Sequence, residues 1–127
     1  MENYEVKILR ASKELSAMEK IAIKDTSDCV GLDMFCDKGA AILHPTMWVE
    51  IGVNNPYSKG EKEYTKFVVV DTDGTKYTTG SKSFISSFLN IYEELEKDGI
   101  TDYGIKVFKM ESKNYKGKSF ITCTLAL

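Results

Sequence analysis

The sequence predicts a mainly β fold with one helix. Three observations carry this. Apolar and polar residues alternate through seven short stretches, "DG" and "KNYKG" sit between alternating runs as hairpin turns, and only residues 80–99 keep the helical period.

The elements follow in order. "YEVKILRAS" (4–12) alternates as a first strand, and "EKIAIKDT" (19–26) reads as a second with Ile21 and Ile23 on one face. Residues 27–40 hold two glycines and no period, which predicts a loop. "ILHPTMWVEIGVNN" (42–55) alternates beyond Pro45, with Met47, Val49, Ile51 and Val53 opposite Trp48, Glu50 and Gly52. "YTKFVVVDT" (64–72) and "TKYTT" (75–79) form a hairpin around Asp73-Gly74. In residues 80–99, Phe84, Phe88, Ile91 and Leu95 line one helical face, Ser81 or Ser83 caps the start and Gly99 stops the end. Residues 104–112 and 118–126 close the chain as a second hairpin.

The resulting β-β-β-β-β-α-β-β order approximates the OB-fold, a partly open five-stranded barrel with a helix between its third and fourth strands. At 127 residues the chain is read as one domain, 1–127. No apolar run reaches the roughly 18–20 residues of a membrane span, and "MENYEVKILR" is no signal segment, so a cytoplasmic protein without membrane partners is expected.

Catalytic signatures are missing. There is no Gly-rich phosphate loop, no carboxylate pair at metal spacing and no Ser-His-Asp set, and the one histidine, His44, precedes Pro45. Cys29, Cys36 and Cys123 are an odd count, and their spacing with His44 matches no common zinc module. The chain reads as a non-enzyme with free thiols, needing neither metal nor cofactor.

Charge is segregated. The net charge is -2, yet residues 104–127 hold five lysines against one glutamate, while residues 83–103 hold five acidic groups against one lysine. Strand alternation places Lys106, Phe108, Lys118 and Phe120 with two threonines on one face of the closing hairpin, and Tyr115 and Lys116 at its tip. Lys76 and Tyr77 lie beside the "DG" turn, and Trp48 projects on the side of Glu50. Ammonium groups that follow phosphates, interleaved with rings on which bases stack, suit a single-stranded nucleic acid bound without sequence preference. The two phenylalanines fit equally well as core residues of a barrel packed on both faces.

The C-terminal half adds a resemblance. "DGTKYTTGSKSF", an amphipathic helix, and "IKVFKMESKNYKGKSFITCTLAL" together resemble the single-stranded DNA-binding protein family of small tailed phages that replicate by protein priming. The matching positions are Asp73, Gly74, Tyr77, Ser81, Lys82, Lys116, Gly117, Phe120, Leu125 and Leu127. The resemblance implies an OB-like protein that coats and protects displaced DNA strands in the cytoplasm of a bacterial host, alongside phage replication proteins. It implies stacking by Tyr77 and, after a one-residue gap, by the loop residue Tyr57; Trp48 would replace a further tyrosine of the family. Two rival classes remain: an RNA-binding OB domain that shares this surface, and a small β protein whose hairpin edge or acidic helix end docks a phage or host protein, with the lysines serving only solubility.

Overall fold

The computed structural model describes residues 5–57, 63–112 and 117–126. Tyr115, Lys116 and Leu127 lie outside them. Among the described residues the chain runs β1 (Glu5–Ala11), α1 (Ala17–Lys24), β2 (Val30–Gly31), α2 (Leu32–Phe35), β3 (Ala41–Leu43), β4 (Pro45–Asn54), β5 (Glu63–Asp71), β6 (Lys76–Thr79), α3 (Lys82–Lys97), β7 (Gly104–Glu111) and β8 (Ser119–Ala126). The protein is mainly β. Its strands form two sheets, one of five strands in the order β1-β4-β5-β6-β2 and one of three in the order β3-β7-β8, and they do not close into a barrel.

Both expected hairpins form. Gly74, at φ 87°, makes the turn after β5, where the Gly74 amide donates to the Asp71 carbonyl at 2.9 Å. In the second hairpin Val107 pairs with Cys123 and Phe108 with Thr122. The expected third strand is two strands, because Pro45 lacks a ladder donor and begins β4 rather than continuing β3. The chain changes sheets there. The His44 amide donates to Asp71 Oδ2 at 3.1 Å, and the Thr72 amide donates to the His44 carbonyl at 3.1 Å.

Residues 19–26 correct the expectation of a second strand. Ser16 and Glu19 form a capping box: the Glu19 amide donates to Ser16 Oγ at 3.2 Å, and the Ser16 amide donates to Glu19 Oε1 at 3.0 Å. Strong helix formers follow at Ala17, Met18, Glu19, Lys20 and Ala22. Ile23 is buried at 1% exposure while Ile21 stands 71% exposed, so the two isoleucines face opposite ways. The expected loop at 27–40 likewise contains β2, which pairs in parallel with β6, and the single turn α2.

The five-stranded sheet is packed on both faces. One face carries Val49, Ile51, Val53 and Val68, covered by Leu15 and by Ile23 of α1. The other carries Trp48, Phe67 and Val69 against Phe84 and Phe88 of α3 and against Leu43, Ile105, Val107 and Cys123 of the three-stranded sheet. Helix α3 runs beside the free edge of β8, where the Ser81 hydroxyl donates to the Ile121 carbonyl at 2.7 Å and also accepts from the Phe84 amide at 3.3 Å. One serine thus caps the helix and covers a strand edge.

Glu19 ties α1 to solvent pH. Its carboxyl is held down to about 2, first by Lys13, whose Nζ lies 2.7 Å away, and then by the Ser16 amide. A depressed folded-state pKa contributes stability that is complete above the ordinary 4.5 and is lost as pH falls through about 2. Acid titration followed by unfolding should therefore show a stability loss between pH 4.5 and 2 that shrinks in Glu19→Gln.

Candidate nucleic-acid interface

The three-stranded sheet has an inner and an outer side. Ile105 and Val107 point inward and are fully buried, which turns Lys106, Phe108 and Met110 outward on β7. Register adds the cross-strand partners: Thr124 opposite Lys106, Thr122 opposite Phe108 and Phe120 opposite Met110 on β8, with Ile42 of β3 opposite Lys106 on its other side. Phe108 and Phe120 are therefore diagonal neighbours on one face, a spacing of about 7–8 Å that aromatic side chains bridge. Lys106 and Lys118 are exposed, the two phenylalanines are half-buried, and Ile42 and Met110 are exposed. The expected mixture of ammoniums and rings is present on this face, neither ring being sealed in the core.

A groove of about 730 Å³ borders it, between the start of α3 and the edge of β8. Lys82, Lys109 and Phe120 line it together with Thr78, Ser83 and one acidic residue, Asp33. The structure thereby brings Lys82 to Phe120, two residues linked in the sequence only by the family resemblance. It also adds Lys109. Alternation assigns Lys109 to the inward set with Ile105 and Val107, yet the strand outruns the core and Lys109 is exposed. A lysine closing an otherwise apolar inward set is the sequence signal for that overrun.

Three expected site residues lie elsewhere. Trp48 keeps the side of Glu50, but that side is itself core at this point: its ring is 6% exposed, stacks on Phe67 with centroids 5.4 Å apart and meets the Tyr92 edge at 5.4 Å. β4 is an interior strand of a sheet covered on both faces, so neither of its sides is free. Lys76 is committed to α1. Its ammonium donates to the Ala22 carbonyl at 2.6 Å and the Asp25 carbonyl at 2.9 Å and pairs with Asp28 at 2.7 Å, capping the helix C-terminus. Tyr77 is half-buried on the core side of the five-stranded sheet, 4.5 Å from the Phe35 ring. Burial pushes its phenol pKa up, with Asp73 and Asp71 adding to the shift. Tyr57 is 75% exposed in the turn after β4. Tyr115 and Lys116 fall outside the described residues.

Thiol and carboxylate chemistry lies apart from this surface. Among the described residues no three of His, Cys, Asp or Glu converge as metal ligands. Burial raises the Cys123 thiol to about 12 and also raises Cys36, so both stay protonated at neutral pH. Comparison of the chain with protein-family models, curated proteins and solved structures finds no match.

The commitment of Lys76 is testable. Lys76→Met removes the donor from two carbonyls at the end of α1 and leaves a methylene stem that packs in the same place. Stability should fall by about 1–3 kcal/mol in urea unfolding, with affinity for an oligonucleotide unchanged.

Proposed function

We propose that the protein binds single-stranded DNA without sequence preference, coating and protecting displaced strands during phage DNA replication in the host cytoplasm. The observation that carries this is the shared outward face of β7 and β8, where Lys106, Phe108 and Phe120 stand, with exposed Lys118 just before β8, on a chain of net charge -2. Such a face offers phosphates a cationic track and bases two rings, while contributing no fixed hydrogen-bond pattern to read sequence. Lys82 and Lys109 extend the track toward the start of α3, where the helix dipole also favours an anion. Lys116 and Tyr115, which lie outside the described residues, and exposed Tyr57 belong to the same reading as additional contacts. We read the two sheets as a splayed version of the OB plan, in which the strand order and the helix before the last hairpin are kept while the sheet edges stay apart.

A second reading is supported by a different surface. Met18 at 82% exposure and Ile21 at 71% stand together on the outer side of α1, three residues apart. A phage or host replication protein docking there would be compatible with DNA on the opposite sheet. RNA would use the same face as DNA, and the 2′-hydroxyl separates the two.

Fluorescence anisotropy of a labelled oligothymidylate at low salt tests the proposal, with duplex DNA and a matched RNA in parallel. Single-stranded DNA should bind more tightly than either. Phe108→Ala and Phe120→Ala should each weaken binding by about 1–3 kcal/mol. Lys106→Gln should flatten the salt dependence by about 0.7 in the log–log slope. Absence of binding to the single strand at low salt refutes the function.

A further inference from the structure

The edge of a sheet is a row of unpaired amides and carbonyls, open to another strand unless something covers it. Among the described residues, β8 is covered by α3 through Ser81, while β2 and β3 are only two and three residues long. β1 differs: its seven residues, Glu5–Ala11, end the five-stranded sheet with a strand on one side only. Alternation identifies the groups left over. The Ser12 amide donates to the Trp48 carbonyl at 2.9 Å, so β4 turns the backbone of Trp48, Glu50, Gly52 and Asn54 toward β1. Register pairs Lys7 with Gly52 and Glu5 with Asn54, which leaves the amides and carbonyls of Val6 and Ile8 pointing away from the sheet.

Native edges are blunted by proline, by bulges or by charges that repel a copy of themselves. β1 holds no proline, and its bulge, between Ile8 and Arg10, lies beyond the stretch Glu5–Ile8. Its charges there are of opposite sign. Glu5 and Lys7 are exposed on one face of the sheet, and neither has an ion-pair partner among the described residues. That pattern is its own complement. In a second copy laid antiparallel along β1 with Val6 on the two-fold axis, Glu5 meets the partner's Lys7, and Lys7 meets the partner's Glu5. The neighbouring registers that keep side chains face to face bring like charges together. An axis at Glu5 or Lys7 sets each against itself, and an axis at Ile8 sets Lys7 against Arg10. Opposite charges directly across two strands favour pairing, and like charges oppose it. With Val6 on the axis, the two valines exchange both backbone bonds. The flanking Glu5–Lys7 pairs then take the closer, non-hydrogen-bonded positions, with Cα atoms about 4.5 Å apart.

We infer that β1 is a self-complementary dimer edge: a second copy of this chain adds antiparallel to it, joining two five-stranded sheets into one. The contact is isologous, so it closes at two copies and builds no filament. Its centre is Glu5, Val6 and Lys7 of each chain, a narrow interface that forms a reversible dimer at high protein concentration rather than an obligate one. It uses no part of the outer face of β7 and β8 and does not rest on nucleic-acid binding there.

Sedimentation velocity of the protein alone at low salt, from about 10 µM to about 1 mM, tests this; a dimer with a Kd of about 100 µM populates across that range. Glu5→Lys and Lys7→Glu each turn both attractive contacts repulsive and should weaken the dimer at least about tenfold, with the fold intact because both side chains are exposed at an edge. Mixing the two variants in equal amounts restores opposite charges at both positions. A heterodimer should then form at concentrations where neither variant dimerises alone. Backbone pairing has its own readout in amide hydrogen exchange. The Val6 amide should exchange more slowly as concentration rises, while the Lys7 amide, already turned to Gly52, should not change. A protein that stays monomeric at about 1 mM overturns the inference. So does a dimer that survives both charge reversals, or a pair of variants that fails to associate on mixing.

Discussion

The constraint on which the rest depends is burial of the five-stranded sheet on both faces. β4 and β5 sit inside that sheet, and their side chains alternate between two separate cores: Trp48, Phe67 and Val69 on one side, Val49, Ile51 and Val68 on the other. Each face needs a cover, since leaving one wet forfeits roughly 1.5–3 kcal/mol for each large apolar side chain. Helix α1 covers one face, and α3 with the three-stranded sheet covers the other. The commitment of Lys76 follows from this. The helix that seals the second face ends against β6, and its last carbonyls take the lysine that the "DG" hairpin presents.

The same constraint decides which rings remain for a ligand. Trp48 and Tyr77 lie on the side of the sheet that faces α3 and the second sheet, so both are drawn toward the interior. The three-stranded sheet spends only its inner side on the core. Its outer side keeps Lys106 exposed and Phe108 and Phe120 half-buried, while α3 reaches over Thr122, which is buried with its hydroxyl 3.5 Å from that of Ser87. The β8 edge is shielded by α3 through Ser81, so the sheet presents a face rather than an unpaired edge.

Charge follows the same division. The acidic side chains of α3 gather at its far end, around Glu93, Glu94 and Glu96, whereas Lys82 stands at its start beside Lys109 and Phe120. One helix therefore turns its positive end toward the cationic sheet and its acidic end toward the segment before β7. Fields fade within about 8–10 Å in physiological salt, so each end acts on its own surroundings. An acidic molecule can in this way hold a cationic face.

Both hairpins and α3 were legible in the sequence because their signals are local: Asp73-Gly74 for a tight turn, period-2 alternation in residues 104–126, and a helical apolar stripe closed by Gly99. The outward set of Lys106, Phe108 and Phe120 was legible for the same reason, since alternation alone separates the sides of a strand. Helix α1 had a local signal too, the Ser16–Glu19 capping box, but Ile21-Ala22-Ile23 also satisfies a strand pattern, and a short apolar run does not distinguish the two. The placements of Trp48, Tyr77 and Lys76 carried no local signal at all. Alternation says which side of a strand a residue occupies; whether that side is wet depends on what residues far along the chain pack against it. The sequence by itself determined the hairpins, the long helix and the two sides of the closing strands. Only tertiary structure decided that one sheet is covered twice and the other once, because burial is a property of the assembled layers and not of any segment.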